Sequence, residues 1–166
     1  MNITRKRFVA ALINVLLLCF AFFIRYSTTG FLNIGRAIPL ILLPLAISIS
    51  IFYSENVALA AGTIIGIFMD SVSSESSIYN TLFMIICCVV CNLLSARFFN
   101  RNFRSALCLS AGMSFLYFTL KYIIFFTFSG VLVNYDYFTL YLIPSAVYTA
   151  VWILPFYLLN KKLSNY

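Results

Sequence analysis

The sequence contains no histidine and only four acidic residues, and charged side chains fill just 9% of its 166 positions. Without imidazole, and with so few carboxylates, most metal-hydrolase and acid–base enzyme designs lack their parts. The expectation is a protein that is not an enzyme and holds no metal or cofactor. Soluble domains carry about 25% charged residues, so the scarcity of charge also argues against a water-soluble fold. What replaces charge is apolar: 63% of residues are hydrophobic and mean hydropathy is +1.02. A water-soluble fold cannot hide that much apolar surface. The fold class expected is therefore an all-α membrane protein.

Eleven lysines and arginines give a formal charge of +7. They sit between apolar runs, so they report membrane topology rather than nucleic-acid binding. Five cysteines, at 19, 87, 88, 91 and 108, lie inside apolar segments. Cys87 and Cys91 share a helical face, a spacing open to a metal or redox role, but small apolar packing residues are the simpler reading.

A bilayer crossing needs about 20 apolar residues. Six segments approach that length: 8–24, 38–53, 57–70, 78–98, 105–128 and 138–159. Together they predict one integral membrane domain over 1–166, a six-transmembrane-helix bundle with short loops. Arg5, Lys6 and Arg7 precede a long apolar run without a small-residue cleavage site, which reads as a first span rather than a removed leader. In the second segment Pro39 is expected in the first turn and Pro44 at a kink. The third is short: fourteen residues rise about 21 Å against a hydrocarbon core of about 30 Å. It must extend through the following serines, lie among neighbours, or sit where the bilayer thins. Asn14 and Asn92 are expected to bond neighbouring helices, and Trp152, beside Pro155, to pack.

Basic residues set the orientation. One side collects Arg5, Lys6, Arg7, Arg97, Arg101, Arg104, Lys161 and Lys162; the other has Arg25 and Arg36. Both termini are then cytoplasmic, and "DSVSSESS" and "SGVLVNYDY" face outward.

The third segment poses the chemical question. Ala58, Gly62, Gly66 and Asp70 recur every four residues and so share one face. Small residues at that spacing let helix backbones approach closely in lipid, so this is the candidate face for another helix of this chain or of a partner. Asp70 is costly at membrane depth unless paired or hydrated. Lys121 stands at a matching height, both being about 21–24 Å from the inner ends of their helices. Asp70 either pairs with Lys121, or shares a polar cluster with Ser71, Ser73 and Asn134, or is wet while Lys121 reaches outward. The loop "RFFNRNFR" at 97–104 places Arg97, Arg101 and Arg104 among aromatic residues, as an anionic-lipid anchor or a contact for an acidic partner.

These features, namely six short-looped spans, the G-xxx-G-xxx-D run at 62–70, "R-xx-P" at 36–39 and the arginine-rich loop after the fourth span, resemble MreD, the bacterial rod-shape-determining membrane protein family. The similarity runs nearly the length of the chain and is most specific over 36–104. It departs in having no glycine between Asp70 and the next span. The resemblance implies a non-enzymatic scaffold of the elongation machinery, without cofactor. Its implied partners are an MreC-like single-span protein, a RodA-type glycosyltransferase, a class B penicillin-binding protein and MreB. It also implies a fold similar to the substrate-binding subunits of energy-coupling-factor vitamin transporters. Such a subunit is the alternative function, with Tyr79, Asn80, Asn134, Tyr135, Asp136 and Tyr137 as candidate linings. An intramembrane enzyme built on Asp70 and Glu75 has too little to work with.

Overall fold

Hydrocarbon gives a peptide group nothing to bond to, so a chain this apolar is driven into helices that satisfy their own backbone. The computed structural model describes residues 3–27, 39–72, 78–97, 102–129 and 141–164. They form α1 (Ile3–Ser27), α2 (Leu42–Phe52), α3 (Glu55–Val72), α4 (Tyr79–Arg97), α5 (Phe103–Ser129), α6 (Ile143–Val151) and α7 (Ile153–Ser164). Among the described residues there is no strand. The protein is all-α, and α6 and α7 run on across Trp152 as one apolar stretch, Ile143–Leu163. Four stretches are long and apolar enough to cross a membrane: α3, α4, Phe103–Ile124 of α5, and Ile143–Leu163. Two apolar stretches are shorter, Val9–Ile24 and Leu42–Phe52.

The second apolar segment departs from expectation. Its helix is the 11 residues of α2, about 16 Å long, and every one of them is buried. It packs against α1, α3, α4, α5, α6 and α7 and forms the centre of the bundle. Pro39 precedes the helix instead of opening it. Pro44 lies in the first turn, where an absent N–H removes nothing, so it begins the helix and does not kink it.

Side chains of other helices complete the backbone around this short helix. Each end borrows a side chain. The Leu40 amide donates to Thr149 Oγ1 of α6 at 3.0 Å. At the other end Asn92 of α4 donates to the Ser50 and Tyr53 carbonyls at 2.6 and 3.0 Å. Midway, Asn160 of α7 donates to Ser48 Oγ, which donates in turn to the Phe156 carbonyl, at 2.9 Å each. Asn14 of α1 reaches the Tyr53 hydroxyl at 3.0 Å. Both intramembrane asparagines thus bond neighbouring helices.

α3 is longer than its apolar run suggested. It starts at Glu55 and ends at Val72, 18 residues or about 27 Å. The Ala58 amide bonds the Ser54 carbonyl, and Ser71 Oγ bonds back to the Ile67 carbonyl, so polar residues carry the helix beyond the apolar stretch at both ends. The break between α6 and α7 follows from Pro155. It offers no N–H to the carbonyl of Val151, and the Trp152 amide turns to the Thr149 carbonyl at 3.2 Å. Trp152 is half-buried against the core.

Asn92→Leu strips both carbonyls at the end of α2 of their donor and is expected to cost about 1–3 kcal/mol. Thr63→Val, at an exposed hydroxyl bonded only within its own helix, serves as the neutral comparison. Thermal unfolding in detergent reads the difference, and equal midpoints for the two variants would contradict this account of α2.

Candidate functional site

α3 and α4 run antiparallel, and the face between them is the small-residue strip. Ala58, Gly62, Ile65, Gly66 and Met69 are the buried residues of α3. Gly62 is needed because a Cβ there would stand 2.8 Å from the Met84 carbonyl oxygen and 3.0 Å from Cys88 Sγ. Gly66 is tighter still. A Cβ there would run into Cα of Thr81 and lie 3.2 Å from the Asn80 carbonyl oxygen. Backbone meets backbone at this point, and no side chain fits between.

The strip is therefore filled by this chain's own α4. As a packing face it does what its spacing implies, but the half of the expectation that opened it to a partner's helix meets an occupied surface. The cysteines complete the fit. Cys87, Cys88 and Cys91 are buried, and the Cys88 thiol points at the Ala46 carbonyl of α2, 3.9 Å away. A small side chain is what lets α4 lie against α2 and α3 at once. Among the described residues no group of three or more histidine, cysteine or acidic side chains is placed to hold a metal ion.

Asp70 ends the strip and meets the amino end of α4. Its Oδ1 accepts from the Asn80 amide at 3.2 Å and its Oδ2 from the Thr81 amide at 2.9 Å. The Thr81 hydroxyl also donates to Oδ2. The first amides of a helix have no partner within it, and the helix dipole favours negative charge there. A carboxylate from the preceding helix thus performs the task of an N-cap. This gives a physical reason for the four-residue spacing: one turn beyond the glycine that touches Thr81, a side chain reaches the same residue's amide.

The cap continues into a polar and aromatic cluster. The Tyr117 hydroxyl of α5 donates to Asn80 Oδ1 at 2.7 Å, and the Tyr79 hydroxyl donates to the Tyr117 carbonyl at 3.1 Å. The Phe83 and Tyr117 rings meet edge to face at 5.1 Å, and Tyr79 lies 5.7 Å from Tyr117. This cluster ties α3, α4 and α5 at one end of the bundle. Half-buried Lys121 follows Tyr117 by one turn of α5 and shares its side of the helix. Ser71 is exposed and bonded within α3. Ser73, Glu75, Asn134, Tyr135, Asp136 and Tyr137 lie outside the described residues, as do Arg36 and Arg101.

Tyr117 was not anticipated from the sequence, although its distance of four from Lys121 was a usable signal. Asn80, singled out only as a candidate lining, and Thr81, not singled out, lie in the first turn of α4, where their amides need an outside acceptor. At the opposite end of the bundle Arg97 and Arg104 are exposed, at the close of α4 and the opening of α5.

No family model, curated protein or solved structure matches the chain.

Gly66→Ala is expected to destabilise the protein by about 1–3 kcal/mol through overpacking. Gly112→Ala, on α5 with nothing within 4 Å of its added carbon, is expected to be neutral. Asp70→Ala removes the cap, at about 1–2 kcal/mol. Unfolding midpoints that rank Gly112→Ala beside Gly66→Ala would sink the close-contact reading.

Proposed function

We propose that the protein is a membrane scaffold of the MreD type. In this reading it lies in the bacterial plasma membrane with both termini cytoplasmic, crosses it six times, and joins an MreC-like single-span protein to the wall-synthesis machinery. The observation that carries the reading is how the interior polar side chains are used. Asp70, Asn80, Asn92, Tyr117, Thr149, Ser48 and Asn160 all bond across helices. These seven side chains are engaged in holding the bundle together. Around them the outer faces are apolar, with Leu12, Leu16, Phe20 and Phe23 of α1 and Ile64, Ile67 and Phe68 of α3 exposed. Such surfaces suit lipid and single-span helices alike. Because α4 covers the glycines, a partner helix belongs on one of these outer faces.

The transporter-subunit alternative asks Tyr79 and Asn80 to face a ligand. Both are committed to Tyr117, so the scaffold reading stands first. Within it, Asp70 and Lys121 form one polar group with Asn80 and Tyr117, the lysine balancing the carboxylate that caps α4.

Two experiments test these points. Depleting the protein in a rod-shaped host that encodes it should give round cells, and the tagged full chain should retain a single-span coiled-coil protein in mild detergent. Normal rods with impaired vitamin uptake would favour the transporter instead. For the polar group, a double-mutant cycle of Asp70→Asn and Lys121→Met should show a coupling of about 0.5–1 kcal/mol. Strictly additive losses would leave the cap as the aspartate's whole role.

A further inference from the structure

The end of the bundle away from Asp70 gathers charge that the internal ties do not use. The rings of Phe103, at the start of α5, and Tyr157, on α7, meet edge to face at 5.5 Å. The ring of Phe52, at the end of α2, lies tilted against Tyr157 at 5.2 Å. These contacts fix the amino end of α5 beside the carboxyl end of α7. Lys161 Nζ stands 5.9 Å from the centre of the Tyr157 ring, which restrains it over this aromatic floor. Arg104, Lys161 and Lys162 are all exposed, as is Arg97 at the nearby close of α4. Among the described residues at this end the opposing charge is Glu55, at the start of α3.

Each of these cations has an exposed apolar side chain one turn deeper on its own helix. Leu107 lies three residues beyond Arg104, and Leu158 three before Lys161 and four before Lys162, so cation and leucine share a side of the helix. Two adjacent helices thus present the same pair, a cation at the rim and an aliphatic side chain beneath it. An acidic soluble protein would engage the rim alone. A molecule with an anionic head and hydrocarbon tails engages both layers.

We propose that the junction of α5 and α7 binds an anionic phospholipid, its phosphodiester held by Arg104, Lys161 and Lys162 and its acyl chain laid along Leu107 and Leu158. The inference needs only that these helices lie in a bilayer, and it stands whether or not the scaffold reading holds.

The test uses the full chain released from mixed micelles containing equal phosphatidylglycerol and phosphatidylcholine, with retained lipid counted by native mass spectrometry. Wild type should retain phosphatidylglycerol over phosphatidylcholine by about tenfold, the effect of one or two juxtamembrane cations. The triple variant Arg104→Gln, Lys161→Gln, Lys162→Gln should fall to near parity while melting as wild type does in phosphatidylcholine alone. Should the triple variant melt early, the single variants Arg104→Gln and Lys161→Gln should each lower the preference about fivefold. Parity in wild type overturns the proposal, and so does undiminished preference in variants that fold. So does a wild type that shows no lipid preference yet retains an acidic soluble protein through the same three side chains.

Discussion

A peptide group without a hydrogen-bond partner in hydrocarbon costs several kcal/mol, and this bundle is arranged around one helix that cannot meet that demand alone. α2 is too short to carry both its ends to water. Its flanking backbone is completed by side chains from other helices, Thr149 at one end and Asn92 at the other. The surrounding helices must therefore stand where those two side chains can reach. The composition of α2 fits the same logic: apolar side chains cover every face, and its two buried hydroxyls, Ser48 and Ser50, both donate to backbone carbonyls.

The hairpin of α3 and α4 meets a different demand. Lipid gives apolar side chains no reason to cluster, so association rests on close contact and on bonds between helices. Gly62 and Gly66 supply the contact, and Asp70 supplies the bond at the point where α4 begins. The carboxylate that looked expensive in isolation replaces the water that would otherwise serve the first amides of α4. The cost of burying it in part is offset by the cost of leaving those amides bare.

Much of this was legible in the sequence. The four-residue spacing of Ala58, Gly62, Gly66 and Asp70 marked the packing face, and Asn14 and Asn92 were readable as ties because an amide inside an apolar run needs a partner. The limits of α4 and α5 lie within two residues of their apolar runs. The short reach of α2 was not legible, because an apolar run does not show where within it the helix begins. Pro44 misled for that reason: a proline six residues into a long span is a kink, while the same proline near the start of a short helix is a beginning. For Asp70 the sequence offered Lys121, a polar cluster or water; the backbone amides it accepts from carry no letter in the sequence.

The bond from the Leu40 amide to Thr149 joins residues 109 positions apart. A ribosome makes α2 well before α6. The hairpin of α3 and α4 closes on neighbouring chain and is available at once, whereas the amide before α2 waits until α6 has been made. Biogenesis thus has a built-in order, and a helix made well after the hairpin completes the centre.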